Sequence, residues 1–147
     1  MTESHEAIEL YEFLIESWNN RNAKGMADLF ADEGEMIGFD GSIAFGSSEI
    51  FSHLEPIFDQ HPTPPFVHKV KGLRKVNADT VIVRAIAGMV PHEEDEPDPN
   101  LNTHHTLVAS NKNGSWFIEL FQNTPAKFHG RPEEVAKMTD ELKELAK

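Results

Sequence analysis

The sequence predicts an α+β fold: a curved, mostly antiparallel sheet forming a cone around three N-terminal helices, with a further helix at the C-terminus. Helical periodicity is confined to three segments before residue 60 and one after residue 130. Between them lies a run of period-two segments broken by turn residues, the pattern of antiparallel strands. The chain has 147 residues with no internal repeat and no low-complexity tract, which suits one domain. Residues 1–130 form the cone and residues 131–147 a helical extension of the same domain.

"SHEAIELYEFLIESWNN" opens the fold as an amphipathic helix. Ile8, Tyr11, Ile15 and Trp18 recur at helical spacing, Leu10 and Leu14 widen the stripe, and Ser4 is placed as the N-cap. "NAKGMADLFADE" reads as a second helix, capped by Asn22, buried through Met26, Leu29 and Phe30, and ended by Gly34. "EMIGFDG" alternates as a strand that closes on an Asp-Gly turn, and "SIAF" is a short strand. "GSSEIFSHLEPIF" is the third helix, with Ser47 or Ser48 as cap and Ile50, Phe51, Leu54 and Phe58 on its apolar face. Pro56 removes a backbone donor, so a kink or split is expected near Ser52.

After the Pro-rich break "DQHPTPP", "FVHKVKGLRKV" alternates apolar and basic residues, and "NADTVIVRAIAGMV" is apolar on both faces except at Arg84. "LNTHHTLVASN" and "GSWFIELFQNTP" flank "NKNG", whose Asn-Gly is a hairpin signal. "PHEEDEPDPN" is an acidic, Pro-rich loop without the spaced ligands and glycine of a calcium loop. "RPEEVAKMTDELKELAK" is the last helix, with Pro132 in its first turn and Val135, Met138, Leu142 and Leu145 as its stripe.

Composition excludes several classes. Net charge is −12, which repels phosphate backbones and anionic membrane surfaces alike. There is no cysteine, hence no disulfide and no thiolate chemistry. No window approaches the roughly 20 apolar residues that span a bilayer. The acidic start "MTESHEAIEL" lacks a leader-peptide layout, and a cytoplasmic location is expected. No phosphate loop, dinucleotide fingerprint or Gly-x-Ser-x-Gly elbow is present, so no cofactor is expected.

The wording "RNAKGMADLFADEGEMIGFDG", "FGSSEIFSHLEPIF" and "GSWFIELFQNTP" resembles the SnoaL-like and nuclear-transport-factor-2-like superfamily, and more narrowly its SgcJ/EcaC group, whose members are often described as oxidoreductases or isomerases. The resemblance spans roughly residues 6 to 128 and implies a cystatin-like cone with a pocket and a homodimer packed through the sheet. The superfamily's ketosteroid isomerases carry an aspartate base on the strand after "FAD(D/E)". Alignment of "FADEGEMIGFDG" puts that position at about Gly38, so the base is missing there, and Asp40 is the nearest substitute. Relatives of the narrower group often read His-Asn-Thr at the end of the last strand. This chain has Gln122, Asn123 and Thr124, and a glutamine amide cannot exchange protons near neutral pH.

Strand alternation then sorts the candidates. His68 shares a face with Phe66 and Val70, opposite Lys69 and Lys71, and should point inward as a core residue or as the acid–base catalyst, with Asp40 as helper. Trp18, Met36, Arg84, Leu120, Gln122 and Asn123 are placed at the pocket, each alternatively a core or surface-pair residue. Gln122 or Asn123 would donate to a developing oxyanion. His53 lies at the border of the third helix. His104 and His105 leave opposite faces of one strand, which argues against a shared metal, and His104 is placed inward.

The function expected is binding of a small apolar ligand, or low-specificity acid–base chemistry on one, with no metal. The other reading is a non-enzymatic homodimeric scaffold whose cone is filled by its own side chains. A cavity above roughly 300 Å³ with His68 in its wall would favour the first. A packed cone with His68 bonded to backbone would favour the second.

Overall fold

The computed structural model describes residues 2–146. The elements are helices α1 (Thr2–Asn19) and α2 (Ala23–Ala27), strands β1 (Phe30–Ile37) and β2 (Ile43–Phe45), helix α3 (Gly46–Gln60), strands β3 (Phe66–Asn77), β4 (Thr80–Met89), β5 (Thr103–Lys112) and β6 (Ser115–Pro125), and helix α4 (Pro132–Leu145). A 3-10 turn, Pro99–Leu101, leads into β5. The six strands form one curved, unclosed sheet in the order β2-β1-β6-β5-β4-β3. Every neighbouring pair is antiparallel except β1 with β6.

The inner sheet face packs on α1, α2 and α3. Leu10, Tyr11 and Leu14 of α1, Ile50, Leu54 and Phe58 of α3, and Val83, Leu107 and Ile118 of the sheet are buried in one core. The turns form where the sequence places them. Asp40 accepts from Ser42 N at 2.9 Å while Gly41 takes φ +91°. Asn113 and Gly114 take φ 56° and 91°, the positive pair of a two-residue hairpin.

The outer face carries a second, smaller core. Met138 and Leu142 of α4 bury Ile86 and Ala126, with Val67 and Phe128 packed beside them. Asn102 Nδ2 donates to Thr139 Oγ1 at 2.8 Å, and Lys69 and Lys71 both pair with Glu141. The acidic loop is tied down as well: His92 Nε2 meets Pro62 O at 2.9 Å, Lys143 pairs with Glu96, and Pro97 is buried.

The structure departs from five local expectations. The helix expected over residues 22–33 ends at Ala27, and β1 begins at Phe30. Gly34 therefore does not stop a helix. It lies inside β1 where β6 passes close: a Cβ there would stand 2.6 Å from Ile118 O. Ser47 and Ser48 do not cap α3, which has no side-chain cap; Ser47 Oγ donates instead to Ala27 O at 2.8 Å, fastening α3 to α2. Pro56 does not split α3, because burial of Ile50, Leu54 and Phe58 outweighs one missing hydrogen bond. Lastly, α1 is already helical at Thr2, so Ser4 sits inside it, and the Ser4 side chain lies outside the described residues.

Candidate functional site

A cavity of about 240 Å³ lies between the helices and the inner face of the sheet. Leu14, Ile15 and Trp18 of α1, Met26 of α2, and Leu54 and Ile57 of α3 wall one side. Met36, Phe66, Met89 and Phe121 of the strands wall the other. Helical spacing on α1 brings its three contributors to one face, and alternation does the same for Phe121 and Asn123 on β6. The polar lining groups are Asp40, His53 and Asn123. Trp18 uses its own donor elsewhere: Nε1–H bonds to Pro64 O at 3.0 Å, which fixes the indole against Phe58 and Phe66. Wider hollows occur on the surface, such as one between the acidic loop and α4, but they are open to solvent.

Asp40 is exposed at the mouth. Hydrogen bonds from the Ser42 backbone N–H and hydroxyl, and to a lesser degree the nearby His53, hold its pKa below the ordinary value. It stays ionised and is a weak base. Asn123 is half-buried in the wall, and its Oδ1 accepts from the Thr103 hydroxyl. Met36 is buried in the wall.

The other sequence-derived candidates lie elsewhere. His68 is half-buried on the inner face but outside the cavity wall, edge-on to Tyr11 with ring centroids 5.5 Å apart. Burial lowers its pKa, partly offset by Glu12. Among the described residues no backbone hydrogen bond holds its ring, and at 240 Å³ the cavity is neither as large as the ligand reading expected nor filled as the scaffold reading required. Arg84 is exposed on the outer face, its guanidinium lying over Gly72, without an ion pair among the described residues. Leu120 and Gln122 share that outer face, and Gln122 Nε2 donates to Thr124 Oγ1 at 3.3 Å.

The histidine pair is split as strand geometry requires, but in the opposite sense to the one expected. His105 faces inward and is fully buried; His104 faces outward beside Phe128. The register decides this. His105 lies opposite Ala85 and Asn123, both on the inner face, whereas His104 lies opposite Ile86 and Thr124. Burial, then the charge of Arg84, lowers the pKa of His104.

His105 and Tyr11 are the polar pair that sequence reading missed. Their Nδ1 and Oη atoms are 2.8 Å apart in the core. Burial, then the neighbouring His68 and His104, push the His105 pKa down to about 3. Burial raises that of Tyr11, so both groups are neutral. No spacing rule links positions so far apart, and Tyr11 reads in sequence as one more residue of an apolar stripe. His53, placed at a helix border, turns out to flank the cavity mouth. Among the described residues no three His, Asp or Glu side chains gather as a metal site would need.

No protein-family model matches the chain, and no curated protein matches it. Solved structures do. A domain of unknown function with a cystatin-like fold from Nostoc punctiforme superposes with TM-score 0.81 at 21% identity, over 93% of this chain and 86% of that one. A ketosteroid isomerase-like protein from Erwinia carotovora atroseptica gives 0.70 at 14% identity, over 85% and 97%. An NTF-2 like protein of unknown function from Shewanella oneidensis gives 0.68 at 11% identity, over 83% and 98%. At such identities the likeness is one of architecture, and reaction does not follow from it. No helix among the described residues is long and apolar enough to cross a membrane. The curved sheet, the three helices on its inner face and these superpositions together establish that the chain has the cystatin-like, NTF2-like fold.

Proposed function

We propose that this protein binds a small apolar molecule in the cavity between α1, α3 and the sheet. The observation that carries the reading is the largely apolar wall with few polar groups, the usual make-up of a ligand site. The volume of about 240 Å³ limits the ligand to roughly one ring. If the bound molecule is also transformed, Asp40 and His53 are the titratable groups at the mouth and Asn123 the donor within. His68 would serve chiefly to pack α1 against the sheet, through Tyr11. Thermal-shift screening against small ring hydrocarbons, ketones and carboxylates tests this. A rise in midpoint with neutral compounds, lost in a Met36→Trp variant that fills the cavity, supports it. No rise with any compound refutes it.

A second feature favours pairing of two copies through the sheet, as the resemblance to the SgcJ/EcaC group also implies. Ile82, Val108 and Leu120 form one cross-strand row on the outer face, each half-exposed and beyond the cover of α4. Arg84, Thr106 and Gln122 form the next row. Sedimentation of the wild type and of Val108→Glu tests the pairing. It predicts a dimer that the variant converts to a monomer.

A further inference from the structure

Tyr11 and His105 sit one side-chain layer behind the cavity wall. The His105 ring meets Phe66 and Phe121 edge-on, with centroids 5.0 and 4.9 Å away, and both phenylalanines wall the cavity. Leu14 and Ile15, one helical turn beyond Tyr11, wall it too. Asn123, the cross-strand partner of His105, completes that side. His105 Nε2 is buried and has no hydrogen-bond partner among the described residues.

The proton positions follow from counting. A neutral imidazole carries one N–H. If Nδ1–H donated to the tyrosine oxygen, two groups would be orphaned in the core: the phenol proton and the Nε2 lone pair. If the phenol donates to Nδ1, only Nε2–H is left over. An unpaired polar group in a core is costly, so the second arrangement is the stable one. His105 is then a donor without an acceptor among the described residues, one side-chain layer behind the cavity wall.

Building on the cavity as a ligand site, we propose that His105 Nε2–H is the hydrogen-bond donor for the bound molecule, a neutral ring compound with one acceptor oxygen, such as a ketone. The oxygen reaches Nε2 by displacing the ring edges of Phe66 and Phe121, and the Asn123 amide donates beside it. A carboxylate fits poorly. Asp40 holds a negative charge at the mouth, and the wall contains no lysine or arginine.

Two probes of one shape test this: cyclohexanone, and methylenecyclohexane, which lacks the oxygen. Wild-type protein labelled with 15N at histidine and 13C at methionine methyls is observed by NMR. The expected result is an Nε2-protonated His105 in the free protein. Cyclohexanone shifts both Met36 and His105 Nε2, whereas methylenecyclohexane shifts Met36 alone. In His105→Leu the affinity ratio between the two compounds drops roughly three- to tenfold. An Nδ1-protonated ring overturns the proposal. So does a Met36 shift with cyclohexanone but none at Nε2, and that outcome leaves the cavity reading intact. No Met36 shift with either compound overturns both. Should His105→Leu not fold, the wild-type shifts decide.

Discussion

Tyr11 Oη and His105 Nδ1 lie 2.8 Å apart in the core although 94 positions separate them in the chain, and their hydrogen bond joins α1 to β5. Tyr11 is fully buried, so removal of its hydroxyl strands a polar nitrogen. Tyr11→Phe should cost about 1–3 kcal/mol of unfolding free energy. Urea denaturation of the two proteins measures it; equal midpoints would show that the bond contributes nothing.

Acid should destabilise the fold well before its carboxylates titrate. His105 titrates near 6.5 when unfolded and near 3 when folded, so between those values the unfolded chain binds the extra proton. Its contribution is intact above about pH 6.5 and fades as pH falls toward about 3. The slope approaches about 1.4 kcal/mol per pH unit. His68 and His104 are shifted in the same direction and steepen the loss. Denaturation midpoints at pH 7.5 and pH 5 check this; a flat profile across that span in the wild type would contradict it.

Two glycines on β1 and just after it should respond differently to alanine. At Gly34 the added Cβ would stand 2.6 Å from Ile118 O, a backbone atom in the neighbouring strand. At Gly38 the nearest atom is 3.5 Å away and belongs to the Asp40 side chain. Gly34→Ala should lose about 1–3 kcal/mol through forced backbone displacement, and Gly38→Ala should stay within about 1 kcal/mol. Thermal melts of the pair separate the two.

The buried bond under α4 offers a fourth test. Asn102 is 1% exposed, and its Oδ1 already lacks a partner among the described residues. Thr139→Val keeps the shape and removes the acceptor of Asn102 Nδ2, at a cost of about 1–3 kcal/mol. Amide exchange should show the loss as opening of α4 rather than of the inner core. Uniform loss of protection would mean that α4 and the cone unfold as one unit.

The fold was legible from alternation and turn chemistry. Asp40-Gly41 and Asn113-Gly114 mark the hairpins, and the order of helices and strands follows. The start of β1 was not legible, because Met26, Leu29 and Phe30 are spaced like a helix and it is pairing with β6 that makes Phe30 a strand residue. The histidine orientation was hidden for a related reason. Leu107 and Val108 are both apolar, since α1 covers one sheet face and α4 part of the other, so alternation alone names no inner side. At the site, Trp18, Met36, Asp40 and Asn123 border the cavity, while His68, Arg84, His104, Leu120 and Gln122 stand apart from it. Strand phase separates the two groups on β6, and sequence carries phase only up to a one-residue slip.

The parallel seam between β1 and β6 has a consequence for how the chain acquires its shape. Strands β3 to β6 form a meander that can zip by successive hairpins, but β1, paired locally with β2, joins that meander only beside β6, about half the chain away. The N-terminal helices pack on β3 and β4 as well as on β6, but the cone closes only when β1 meets β6. Such non-local closure slows folding and exposes the intermediate to aggregation. Refolding should therefore be limited by the docking of β1 on β6 rather than by formation of the hairpins.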